Sequence, residues 1–208
     1  MKNLTRGKED MENNIKIVFA TGNAHKLKEI NEIAQGSGID FVLPPENFNP
    51  VENGKTFEEN SYIKAKEAAV LSNSIALADD SGLCVEALNG GPGLYSARYA
   101  PTAQERIDKL LKNINDLANR KAKFVCAMTL VDNKGQILKQ TIGECHGKIA
   151  KKQSGTNGFG YDPVFIPEGY DITIAQMPEA LKNTISHRSI ALNKMLKFIN
   201  VFLIDRRF

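Results

Sequence analysis

An apolar, β-rich run, Ile15-Lys16-Ile17-Val18-Phe19-Ala20, ends on Thr21-Gly22-Asn23 and passes directly into a helical pattern. A strand, a glycine turn and a helix start, in that order, point to layered α/β packing. Over residues 24–35, Leu27, Ile30, Ile33 and Ala34 share one helical face. Residues 39–43 read as a second strand, stopped by Pro44-Pro45, and residues 46–55 as a polar loop. Thr56-x-x-Glu59 is a capping-box signal before a helix over 57–72, and Thr102-x-x-Glu105 repeats it before a helix over 103–119. In that second helix Ile107, Leu110, Leu111, Ile114 and Leu117 form an apolar stripe. Residues 75–78 and 83–85 are strand-like, Asp79-Asp80 sits where a strand meets a Ser81-Gly82 turn, and residues 89–93 form a turn or loop. Residues 124–131 and 137–145 flank Asp132-Asn133-Lys134-Gly135 as an antiparallel hairpin. Val164-Phe165-Ile166 is a short strand, and a last helix runs over 186–202. The expectation is an α/β fold with a mixed sheet.

With 208 residues the chain is long enough for one large domain or two small lobes with a core that needs no disulfide or metal staple. A net charge of +3 argues against a broad nucleic-acid footprint. Cys84, Cys126 and Cys145 are scattered and odd in number, so they read as reduced thiols of a cytoplasmic protein. His25, His146 and His187 form no zinc motif, and no segment reaches the ~20 apolar residues of a membrane span. Residues 1–14 are polar, lack a signal-peptide core and are expected to be a disordered extension, with Met11 as an alternative start.

Four segments carry residues suited to a magnesium-bound triphosphate. In Thr21-Gly22-Asn23-Ala24-His25-Lys26 the turn allows close backbone approach, and the helix start favours an anion. The same pattern also suits a plain strand-to-helix turn with a solvated lysine. Adjacent Asp79 and Asp80 face opposite sides of a strand, so they divide into different tasks. One can hold Mg2+, which prefers carboxylate, water and phosphate oxygens, while an Asx-type turn is the other reading. Asn60, Lys64 and Glu67 share a polar face of the helix over 57–72, opposite Tyr62, Ala65 and Ala69. Gly155-Thr156-Asn157-Gly158-Phe159-Gly160-Tyr161-Asp162-Pro163 is too glycine-rich for regular structure, and Phe159 and Tyr161 can wall a flat heterocycle. Ser186 caps the last helix and puts His187 and Arg188 in its first turn, where cations oppose the dipole.

Taken in order, TGNAHK, ENGKTFEENSYIKAKEAA, ALADDSGLCVEALNGGPGLYSARYA, GTNGFGYDPVF and ISHRSIAL resemble the inosine triphosphate pyrophosphatase family, the dITP/XTP pyrophosphatases. The resemblance spans roughly residues 15–200, with residues 168–181 matching only loosely. It implies one elongated, twisted mixed sheet with flanking helices over 15–208, in two lobes around a central cleft, and a homodimer. It implies hydrolysis of ITP, dITP and XTP to monophosphate and pyrophosphate with Mg2+, Mn2+ being able to substitute. Carried onto this sequence, Thr21, Gly22, Asn23, Ala24, His25 and Lys26 contact the triphosphate. Glu52 and Asp80 bind metal, Asp80 doubles as general base, and Ser81 contacts substrate. Phe159, Gly160, Tyr161, Asp162, Lys182, His187 and Arg188 line the nucleotide pocket. A mechanism consistent with the residues themselves has Lys26 and Lys64 neutralise charge that shifts toward the leaving group. Donors such as His187, Arg188 and backbone N–H groups at O6 would disfavour adenine. A pyrophosphatase of other modified nucleotides, a triphosphate-sensing regulator and an RNA-binding module are the competing readings.

Overall fold

The computed structural model describes residues 14–205, so the extension expected over 1–14 lies, apart from Asn14, outside the described residues. A single six-stranded sheet runs β2-β1-β3-β4-β5-β6. Its strands are β1 (Ile15–Phe19), β2 (Ile39–Val42), β3 (Ala76–Val85), β4 (Lys121–Val131), β5 (Ile137–Ile149) and β6 (Phe165–Pro167). β1 pairs parallel with β2 and β3, and every later pair is antiparallel. The helices are α1 (Ala24–Ile33), α2 (Phe57–Ser72), α3 (Ala103–Asn113), α4 (Glu179–Ile185) and α5 (His187–Asp205). The mixed α/β sheet expected from the sequence is therefore present.

Two-residue alternation assigns the faces of the sheet. Leu77, Cys126, Met128 and Leu130 pack against Ala191, Leu192, Met195 and Ile199 of α5 and Ile30 and Ala34 of α1. On the opposite face Ala76, Ala78 and Val131 meet Ala65, Ala68 and Ala69 of α2. Those alanines let α2 lie close, and the buried Ser61 and Thr129 hydroxyls pair at 2.7 Å. A further cluster joins Leu83, Val85, Phe124 and Phe165 to Ile107 and Leu110 of α3.

The structure corrects two expectations. Ser81-Gly82 is not a turn: β3 stays in register with β4 from Ala76↔Val131 to Val85↔Ala122. Pairing with β4 uses the backbone groups that a turn would need, and the Gly93 carbonyl fills the place of a Cβ on Gly82, at 2.2 Å. The helix expected over 103–119 ends at Asn113. Poor helix formers follow (Asn115, Asp116), and the Arg120 guanidinium takes the Ile114 carbonyl at 2.9 Å, capping the end. Helix α4 begins at the end of the loosely matching stretch and runs beyond it to Ile185, and it is not among the helices expected from the sequence.

Candidate active site

The two adjacent aspartates point through opposite faces of β3. Asp79, 1% exposed, faces α1 and α5. Its carboxylate meets the Lys26 ammonium at 2.9 Å and the Arg188 guanidinium at 3.1 Å, and accepts from the Ser81 hydroxyl at 3.2 Å. Burial alone would raise its pKa, but Lys26, Arg188 and Lys64 outweigh it and hold Asp79 well below the usual carboxylate range. Asp80 faces α2. Its Oδ1 accepts from Lys64 Nζ at 2.9 Å and its Oδ2 from the Asn60 amide at 3.2 Å. Here burial prevails over the Lys64 charge, and the Asp80 pKa is raised. Lys64 is itself buried, but Asp80, Asp79 and Glu52 outweigh that burial and keep it charged.

Glu52 comes from the polar loop before α2 and meets the same ammonium, Lys64 Nζ, at 3.0 Å. Two carboxylates thus already enclose one cation. An all-oxygen pair of this kind fits a hard divalent ion that completes its shell with water and phosphate oxygens. Among the described residues no group of three or more His, Cys, Asp or Glu side chains gathers as a metal site.

At the β1–α1 turn, Asn23 caps α1 by accepting from the His25 N–H at 3.0 Å, and the Thr21 hydroxyl accepts from the Asn23 N–H at 3.1 Å. Nothing lies within 4 Å of where a Cβ on Gly22 would sit, so the turn is open to an incoming group. Ala24, exposed, begins the helix, and Lys26 passes beneath the turn to Asp79. His25 stacks on Phe159 with ring centroids 5.8 Å apart. Lys182 Nζ lies 4.7 Å above the same ring and the Arg188 guanidinium carbon 5.7 Å from it.

The Phe159 loop is tied down by Asp162, whose Oδ2 accepts from the Phe159 N–H and from Lys182 Nζ, both at 2.9 Å. Gly158 has φ +76°, and a Cβ there would lie 2.1 Å from that carboxylate oxygen, so only glycine lets the loop close. Gly160, at φ +64°, completes the bend. Tyr161 departs from the expected aromatic wall. It is 5% exposed, packs in the α3-side core, and donates its hydroxyl to the Ser96 carbonyl at 2.9 Å. Phe159, half-buried, is the aromatic side chain of this segment that lines the cavity. His187 stacks on Phe124 at 4.8 Å; burial, then Arg188 and Lys182, hold its pKa well below the ordinary value, so it stays neutral. Its Nδ1 is buried and has no hydrogen-bond partner.

Glu29 escaped the sequence reading. It is 5% exposed and joins the two cations that flank Phe159, with Oε2 2.5 Å from Arg188 Nη1 and Oε1 3.4 Å from Lys182 Nζ. The available signal was its i, i+3 position relative to Lys26 on α1. Asp162, Lys182, Glu29, Arg188, Asp79 and Lys26 therefore form one continuous buried ion network. Beside it lies a cavity of 270 Å³ lined by His25, Glu29, Phe159, Met177 and Lys182, among others.

The family model of the Ham1 family matches residues 17–198. This chain belongs to the Ham1 family. A dITP/XTP pyrophosphatase of Synechocystis sp. is 42% identical over 180 residues, 86% of this chain and 93% of that protein. The dITP/XTP pyrophosphatase of Oceanobacillus iheyensis is 42% identical over 194 residues, covering 89% and 98%. Among solved structures, a HAM1 protein from Coxiella burnetii superposes with a TM-score of 0.82 at 39% identity, covering 89% of this chain and 98% of that one. The Staphylococcus aureus Ham1 protein gives 0.79 at 38%, with the same coverage. The Ham1 relationship thus spans both the aspartate pair of β3 and the Phe159 loop.

Proposed function

We propose that this Ham1 protein hydrolyses dITP, ITP and XTP to the nucleoside monophosphate and pyrophosphate. The observation that carries the reading is the division of labour at β3. Asp79 anchors the cations beside the aromatic wall, and one residue later Asp80 joins Glu52 around a cation. Relatives that bear the name dITP/XTP pyrophosphatase over most of their length support the substrate class.

In this reading the base stacks on Phe159, and the triphosphate runs over the Thr21–Lys26 turn toward Lys64. Glu52 and Asp80 would hold Mg2+, and the bound ion would supply positive charge for the phosphate oxygens. Asp80 Oδ2, held by the neutral Asn60 amide rather than by an ammonium, is the more basic oxygen and takes the proton of the attacking water. Lys26 and Lys64 offset the charge that develops on departing pyrophosphate. Ser81 contributes through its hydroxyl, which bridges Asp79 and Arg188. The two-lobed domain, the homodimer and the cytoplasmic setting implied by the resemblance belong to the same proposal; sedimentation at micromolar concentration tests the dimer.

The deciding experiment resolves products from ITP, XTP, GTP and ATP with and without Mg2+. Monophosphate plus pyrophosphate from ITP and XTP, dependent on the metal and weak with ATP, is the expected result. Orthophosphate release, or no turnover of any purine, would reject the reading and move the search to pyrimidine triphosphates or a binding-only role.

A further inference from the structure

Asn60 is 2% exposed, and its one side-chain amide joins two separate elements. Its Oδ1 accepts from the Gly54 N–H at 2.8 Å, and its Nδ2 donates to Asp80 Oδ2 at 3.2 Å. The orientation of the amide is fixed, because a backbone N–H can only donate and an ionised carboxylate can only accept. Gly54 lies two residues after Glu52 in the loop before α2, whereas Asp80 lies on β3. The contact with Gly54 is tight: a Cβ there would lie 2.7 Å from Asn60 Oδ1 and 2.9 Å from the Asn60 backbone nitrogen. One turn further along α2, Lys64 Nζ touches both carboxylates, Glu52 at 3.0 Å and Asp80 at 2.9 Å. Loop and strand are thus linked twice, once by a charged brace and once by a neutral one.

We infer that Asn60 is a positioning residue that holds the Glu52 loop against Asp80 for a divalent cation. This rests on the proposed reading of Glu52 and Asp80 as the metal carboxylates. An ammonium and a divalent cation repel each other, so the Lys64 brace weakens when a metal enters between the two carboxylates. The Asn60 amide carries no charge, and it uses Asp80 Oδ2 where Lys64 uses Oδ1. It therefore keeps loop and strand together whichever cation the carboxylates face. Holding them in place beforehand removes an ordering cost from metal binding. Partners of this kind, which touch the ligands and not the metal, typically account for about 10- to 100-fold in metal affinity.

The test measures binding rather than turnover, with the full chain and the non-cleavable analogue α,β-methylene-ITP. Its affinity is determined by calorimetry with saturating Mg2+ and again with EDTA, and the ratio of the two is the gain that the metal brings. In Asn60→Ala that gain is expected to fall about 10- to 100-fold, while the affinity in EDTA stays close to the parent's. Gly54→Ala leaves the amide and both carboxylates in the chain but pushes the loop off Asn60, and the same loss is expected. Ser61→Ala removes a neighbouring buried hydrogen bond of α2, the 2.7 Å pair with Thr129, and should lower the melting temperature without changing the metal gain. A parent-like gain in Asn60→Ala would overturn the inference. So would an equal fall in Ser61→Ala, which would mean a general loosening of α2. If Asn60→Ala does not fold, Gly54→Ala decides: a reduced gain supports the inference, and a parent-like gain overturns it. Should Mg2+ add nothing in the parent, the metal reading of Glu52 and Asp80 falls, and this inference with it.

Discussion

Asp79 and Asp80 are chemically identical neighbours with opposite electrostatic fates, because a strand sends successive side chains to opposite faces. One meets Lys26 and Arg188 and is held ionised; the other, less fully compensated, becomes more basic. Asp80→Asn is expected to lower kcat about 10²- to 10⁴-fold while nucleotide binding changes far less. Near-normal turnover would remove Asp80 from the proton transfer. His187 gives a stability prediction. Its folded pKa lies well below an unfolded value near 6.5, so the unfolded chain binds the proton first as pH falls. The contribution of a neutral His187 is complete above about pH 6.5 and declines below it, by up to about 1.4 kcal/mol per pH unit. Urea midpoints at pH 7.5 and 5.5 should therefore converge in His187→Gln relative to the parent; an unchanged difference would contradict the assignment.

Helix α5 brings Arg188 to Asp79 only because its first turn lies directly on β5. The place of a Cβ on Gly143 is 2.1 Å from the His187 carbonyl and 2.5 Å from the Ala191 nitrogen. Backbone cannot yield there as a flexible side chain would. Gly143→Ala is expected to destabilise the fold by about 3 kcal/mol and to reduce turnover, since moving α5 displaces Arg188. A melting temperature within a degree of the parent's would show that the helix lifts freely. The strand-to-helix turn at residues 21–26, the caps at Thr56, Thr102 and Ser186, and the hairpin were all legible, because each rests on local chemistry. The Ser-Gly pair misled for the converse reason. Its local preference is for a turn, and the long pairing of β3 with β4 overrides it.

β4 runs through all three apolar clusters, giving Met128 and Leu130 to the α1–α5 side, Val131 to the α2 side, and Ala122 and Phe124 to the α3 end. No part of the sheet can melt without exposing a core it shares with the rest. We expect one thermal transition, with calorimetric and van't Hoff enthalpies in agreement. Two resolved transitions would mean that the ends of the sheet fold independently.

The α/β class, most elements and the chemically capable segments are determined by the sequence alone, because periodicity, capping residues and glycine turns act over a few neighbouring positions. The tertiary structure decided what those segments do to each other. It placed Glu29 between Lys182 and Arg188, buried Tyr161 while leaving Phe159 beside the cavity, and drew Glu52 and Asp80 to one ammonium. Such pairings join residues up to 159 positions apart. They depend on which faces of the sheet the helices cover, and no local pattern encodes that.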